Sequence, residues 1–239
     1  LIGGFAQKKF EHQSKNTARI SIAIMIKAVI FDLDGVVTDG ERSRFNLLKK
    51  LLGAKGVNLT EDLFSKLVGI RTMTFLQQYF LDKLTPQELE EIYSQRISEF
   101  KNHPEKYIIP LPFIKECLQK LSVEFRLAIG SSNKTSEIEQ VLSYISIRDK
   151  FELIISSNLV QHPKPAPDIY LAAARGLGLN PDECVIIEDS PIGVRAAKAA
   201  GIKCIAVTYT TPRSELEKTS AARIINNLSE LTPEIIKSL

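Results

Sequence analysis

The sequence predicts an α/β protein: a doubly wound parallel sheet with an inserted all-helical cap domain. Three observations carry this. Six short β-branched runs are nearly continuous in apolar character, as strands covered on both faces are. Helical patterns alternate with most of them, which is the order of a wound sheet. Residues 41–107 break that alternation, with helical patterns and no strand.

The strand-like runs, in order, are KAVIF from residue 27, RLAIGS from 126, ELIISS from 152, CVIIED from 184, KCIAVTY from 203 and RIINN from 223. Residues 112–122 carry apolar positions at helical spacing, and 135–145 open with Thr, Ser and Glu as a helix start does. Residues 168–178 begin with Asp168 as the expected N-cap and end in Gly178. Residues 190–201 place Ser190 before Pro191 at the first helical position, with Gly201 beyond the end. Within 41–107, helices are expected over 41–54, 61–68, 72–82 and 86–102. The last opens with Thr85, Pro86 and Glu88, a capping box. The division expected is a core of 25–40 and 108–239, a cap of 41–107, and an extension outside the fold at 1–24.

Composition narrows the class. At 44% hydrophobic and 25% charged over 239 residues, the chain has apolar material for a full core without disulfides or a structural metal. No apolar run approaches the roughly 20 residues of a membrane span. The formal charge of +3 lies wholly in residues 1–24, where Lys8, Lys9, Lys15 and Arg19 stand against Glu11. The remainder is balanced and has no basic surplus for nucleic acid. That first segment lacks clear periodicity, and Met25 looks like a natural start; an expression or translation-start artefact is the first reading, a targeting arm the second. Cys117, Cys184 and Cys204 are widely spaced, make no CxxC pair and sit in apolar runs. Buried free thiols in a reducing, cytoplasmic compartment are expected.

The chemistry is sought at the carboxyl ends of the strands, where ligands of such sheets bind. Asp32 and Asp34 follow the first strand, Ser131 and Ser132 the second, and Glu188 and Asp189 the fourth; Lys164 stands between the third strand and its helix. Two carboxylates one residue apart resist joint ionisation, so the pair marks a turn with Gly35, a metal, or a reaction. The assembled set suits a phosphoryl group with a hard cation. Mg²⁺ takes oxygen ligands and is often held by one or two carboxylates, here Asp32 and Asp189. Ser131 and the amides of the following helix start can donate to phosphate oxygens. Lys164 adds a compact positive charge in a loop restricted by Pro163 and Pro165. Phosphate contact is the expected role of both Ser131 and Ser132, and capping of that helix can coexist with it.

The order FDLDGVVTD, GSSN, KPAPD and IEDSPIGVRAAKAAG resembles the haloacid dehalogenase superfamily, in particular its small phosphatases and the β-phosphoglucomutase, over about residues 26–226. The resemblance implies that Asp32 is the nucleophile and a Mg²⁺ ligand, and that Asp34 is the general acid/base and a ligand through its carbonyl. It implies that Ser131 holds the phosphoryl group, that Lys164 steadies it together with Asp32, that Asp189 is a Mg²⁺ ligand, and that Glu188 supports the site or ligates. Dehalogenases of the family lack the second aspartate, so Asp34 argues for phosphoryl transfer. Sugar phosphomutases place a histidine where this chain has Arg44, which weakens that reading. In the cap, Arg71 of GIRTMTF aligns with a substrate-contacting loop and is a candidate anion clamp; Arg42 and Arg44 lie near the hinge.

The function expected is a Mg²⁺-dependent phosphatase of small phosphorylated metabolites, acting through an aspartyl-phosphate. The alternative is a sugar phosphomutase. A non-catalytic phospho-acceptor is the distant third, because a receiver domain carries its acceptor after the third strand and no inserted cap. The expected partner is a small phosphorylated metabolite, with neither nucleic acid nor membrane. The oligomeric state is left open, a monomer or weak dimer being the expectation.

Overall fold

A computed structural model describes residues 25–239. The extension expected at 1–24 lies outside the described residues. Six parallel strands form one sheet in the order β3-β2-β1-β4-β5-β6, with β1 Ala28–Phe31, β2 Arg126–Gly130, β3 Leu153–Ile155, β4 Cys184–Glu188, β5 Lys203–Val207 and β6 Arg223–Ile225. Each lies within one of the six runs expected. The order reverses between β1 and β4, so their carboxyl ends flank the switch point at which a crevice opens. There Phe31 pairs with Ile187, and the Asp32 amide donates to the Ile187 carbonyl at 2.9 Å.

Side chains alternate along each strand, and the strands are buried on both faces. Val29 and Phe31 pack with α6 (Ile114–Leu121) and α7 (Thr135–Tyr144); Ala28 and Ile30 pack with α8 (Asp168–Gly176) and α9 (Pro191–Ala199). Ser190 caps α9 by accepting from the Gly193 amide at 3.0 Å. The cap expected at Asp168 is not formed. Pro167 occupies that position, Asp168 is the first residue of α8, and its carboxylate turns back to accept from the His162 amide at 3.1 Å.

Between β1 and β2 the chain is helical: α1 Gly40–Ala54, a 3₁₀ turn at Glu61–Leu63 leading into α2 Phe64–Leu67, α3 Thr72–Phe80, α4 Pro86–Asn102 and the short α5 Pro104–Tyr107. The capping box forms as expected, with Glu88 and Thr85 bonded reciprocally. These helices enclose an apolar cluster of their own, including Phe45, Leu52, Phe75 and Phe80. The two strands of chain entering and leaving this helical cap are tied together. The Asp39 amide donates to the Ile109 carbonyl at 2.9 Å and the Leu111 amide to the Val37 carbonyl at 3.0 Å.

Candidate active site

The turn after β1 decides where the two aspartates point. Gly35 has φ +77°, a left-handed conformation that costs a side chain dearly, and a Cβ there would run into the Asp189 carboxylate. The glycine therefore allows the β1 and β4 rims to close on one another. Carboxylate oxygens of Asp32, Glu188 and Asp189 can all lie within 4.8 Å of one another, buried.

Lys164 reaches this cluster from the loop between β3 and α8, with its side chain 1% exposed. Its ammonium donates at 2.7 Å to Asp32 Oδ1, to Glu188 Oε1 and to the Tyr170 hydroxyl. Burial pushes the Asp32 carboxyl up to about 8, against the pull of Lys164 and with the push of Glu188. Asp189 is held well above the usual carboxylate range by burial and by the Glu188 and Asp32 charges. Burial acts the same way on Glu188, but Lys164, Tyr170 and the Ser190 amide overcome it and leave Glu188 lowered. One cation thus serves three crowded carboxylates, and Asp189 has only the Thr210 hydroxyl as a side-chain donor among the described residues. Such a donor set fits a divalent cation, which would offset the remaining charge.

Asp34 stands at the edge of the cluster, its side chain 15% exposed, accepting from Asn133 Nδ2 at 2.8 Å and lying 3.7 Å from Arg44 Nη1. Ser131, buried after β2, accepts the Asn133 amide at 3.1 Å, so it shapes the turn before α7. Ser132 donates instead to the Gly69 carbonyl of the cap at 3.3 Å. Arg71 also bridges cap and core, donating to the Ser157 carbonyl at 2.9 Å. Arg71, Ser132 and Asn133 line a cleft of about 440 Å³ between the two. Arg42 is elsewhere: it pairs with Glu61 and stacks over Phe64, lining a separate groove that includes Pro191 and Thr210 of the core. Arg44 is buried against Glu41 and the Leu67 carbonyl.

The structure thus brings Asp32, Lys164, Glu188 and Asp189 into one buried cluster, with Asp34 and Ser131 beside it and Ser132 and Arg71 on the cap side. Sequence reasoning missed Tyr170, Asn133, Thr210 and the cap–core pair of Arg96 with Glu137. Tyr170 lies within the helix expected over 168–178, where at helical spacing it reads as core.

A capped α/β enzyme with a buried carboxylate centre is the class that fold and site define. The model of the haloacid dehalogenase-like hydrolases matches residues 29–207, and the chain belongs to that family. It is 30% identical over 182 residues to the phosphorylated carbohydrates phosphatase of Thermotoga maritima, covering 75% of this chain and 84% of that one. It is 29% identical to the β-phosphoglucomutase of Bacillus subtilis, covering 88% and 94%. The crystal structure of CbbY from Rhodobacter sphaeroides in complex with phosphate superposes with a TM-score of 0.80 at 25% identity, covering 90% of this chain and all of that one.

Proposed function

We propose that this chain is a Mg²⁺-dependent phosphatase of small phosphorylated sugars or similar metabolites, forming an aspartyl-phosphate on Asp32. The observation that carries the reading is the contact of the Lys164 ammonium with Asp32 inside a buried acidic cluster at the carboxyl ends of β1 and β4. Relatives named as phosphatases of phosphorylated carbohydrates and of fructose 1-phosphate support a phosphoric monoester hydrolase and the substrate class. In this reading residues 25–40 and 108–239 form the catalytic core and 41–107 the cap, and the three buried thiols suit a cytoplasmic protein.

The free oxygen of Asp32 attacks phosphorus in line while Lys164 holds Oδ1 and keeps the carboxylate aimed. The bond from phosphorus to the leaving oxygen breaks, and that oxygen takes its proton from Asp34. Water then attacks the aspartyl-phosphate and gives a proton back to Asp34, which releases phosphate and restores the Asp32 carboxylate. Ser131 and the amides preceding α7 hold the phosphoryl oxygens. Asp32, Asp189 and the Asp34 carbonyl would hold Mg²⁺, whose charge would stabilise the transferring group. The closed cap excludes water and selects the leaving group through the cleft bordered by Arg71.

The test is phosphate release from a panel of phosphorylated metabolites, with and without Mg²⁺, for the protein and for Asp32→Asn. Metal-dependent release that vanishes in the variant is expected. Turnover that requires a bisphosphorylated sugar and moves phosphate without releasing it would replace this reading with the phosphomutase. A long-lived phosphoprotein without turnover would revive the phospho-acceptor.

A further inference from the structure

We infer that Tyr170 and Glu188 form a strut that aims Lys164 at Asp32, and that Glu188 serves this strut instead of ligating the metal directly. The count of donors and acceptors carries the argument. An ammonium has three N–H donors. Lys164 spends them on Asp32 Oδ1, Glu188 Oε1 and the Tyr170 hydroxyl, each at 2.7 Å. The Tyr170 hydroxyl accepts from Lys164 and in turn donates a hydrogen bond to Glu188 Oε1, again at 2.7 Å. With all three donors engaged and the side chain buried, the ammonium cannot rotate away from Asp32.

Glu188 is filled from both ends. Its Oε1 receives Lys164 and Tyr170, and its Oε2 receives the Asp189 amide at 3.0 Å, the Ser190 amide at 3.0 Å and the Ser190 hydroxyl at 2.9 Å. Five donors meet a carboxylate that offers about four lone-pair sites, so none is left for a cation. Gly193 completes the enclosure, since a Cβ there would overlap the Glu188 carboxylate. Asp32 and Asp189 differ. Among the described residues Asp32 has side-chain donors on Oδ1 alone, and Asp189 has only Thr210, on Oδ2. Each keeps an oxygen for a metal.

Tyr170 is thus a positioning residue for the reaction. A phenylalanine would fill the same space, as the ring is fully buried among apolar neighbours, but it would leave one Lys164 proton without a partner and Glu188 without one of its donors. The ammonium would gain a second orientation, away from Asp32.

The experiment compares Tyr170→Phe, Glu188→Gln and Asp189→Asn for Mn²⁺ binding to the substrate-free protein and for steady-state kinetics. Residues that orient a site through its direct participants cost about 10- to 100-fold when removed, so kcat of Tyr170→Phe should fall by that range. Its KM and its Mn²⁺ affinity should stay within about twofold, because ground-state binding is untouched. Glu188→Gln should likewise keep Mn²⁺ binding while losing turnover, whereas Asp189→Asn should lose the ion. Mn²⁺ binding weakened as much in Glu188→Gln as in Asp189→Asn overturns the inference, as does full kcat in Tyr170→Phe. Should Glu188→Gln not fold, Tyr170→Phe decides alone: kcat must drop and Mn²⁺ affinity must hold. The kinetic half rests on the phosphatase reading, and absence of any turnover overturns both. The Mn²⁺ half stands apart from it and fails only by its own outcome.

Discussion

Arg96 on α4 of the cap forms an ion pair with Glu137 on α7 of the core, and the two side chains are 6% and 9% exposed. Both border the cleft lined by Arg71 and Ser132, and both border a small cavity of about 20 Å³ beside Asp34. Nearby, Gln140 donates to the Phe100 and Lys101 carbonyls at 3.2 and 3.1 Å. The pair therefore holds the cap down at the mouth of the cleft, where opening would part the two charges and hydrate them.

Glu137→Gln is expected to shift the cap toward open forms. Removing one partner of a buried pair costs about 3–5 kcal/mol where the orphan stays buried, but opening lets Arg96 reach water, so the cost falls mainly on the closed state. Lower kcat/KM and a larger radius in X-ray scattering should follow. In a double-mutant cycle with Arg96→Gln, the losses should be strongly non-additive. Additive losses with an unchanged scattering profile would assign the pair to core stability alone.

Asp189→Asn should stabilise the metal-free protein while abolishing its response to divalent cations. Asp189 is a buried carboxylate raised by burial and by the charges of Glu188, Asp32 and Glu41, with one side-chain donor among the described residues, and an amide of the same shape removes that repulsion. A gain of about 1–2 kcal/mol corresponds to about 2–8 °C in Tm for a chain of this size. The comparison is thermal unfolding with and without Mg²⁺. A lower Tm in the metal-free variant would mean that the carboxylate is already neutralised within the protein.

Much of this arrangement is legible in the sequence. The six strands announced themselves because each is buried on both faces, which forces continuous apolar runs such as CVIIE. The helix starts at Thr85 and Ser190 were readable because capping is local, spanning three residues. Asp168 failed for a related reason. Its side chain found a partner six residues back at His162, a competitor that spacing alone does not reveal. Asp32, Lys164 and Asp189 could be assigned to one rim because the four motifs come in a set order. Tyr170, Thr210 and the Arg96–Glu137 pair were not, because their roles exist only through tertiary contacts; Arg96 and Glu137 lie 41 positions apart. A tyrosine on the inner face of α8 looks like packing until its hydroxyl is seen against Lys164.

Gly193→Ala should damage the site through one methyl group. Helix propensity favours the change, because alanine is the better residue in a helix by about 1 kcal/mol. Yet the added Cβ would overlap the Glu188 carboxylate, which is locked by donors on both oxygens and has no free direction to move. The collision should outweigh propensity. Reduced kcat together with a Tm lower by several degrees is expected, and a Tm at or above that of the parent protein would show that Glu188 is free to shift.

Glu41, on α1 of the cap, sets a further pH dependence. It is buried in α1, accepting the Gly69 amide at 2.9 Å on one oxygen and Arg44 on the other. Burial pushes its carboxyl up to about 7 from an ordinary 4.5, although Arg44 pulls the other way. Arg44 keeps its own proton more tightly than usual, because Glu41 and Asp34 outweigh its burial. The folded protein therefore binds the Glu41 proton more strongly than the unfolded chain does. That contribution to stability is complete below pH about 4.5, is lost as pH rises through about 7, and changes no further above it. Its full size is on the order of 3 kcal/mol. Glu41→Gln mimics the protonated form at every pH, so urea unfolding should find the variant gaining on the parent protein between pH 5 and 8 by about 2–3 kcal/mol. A constant difference across that interval would mean that Arg44 holds Glu41 ionised throughout, with the ion pair, not the neutral acid, anchoring the cap loop at Gly69.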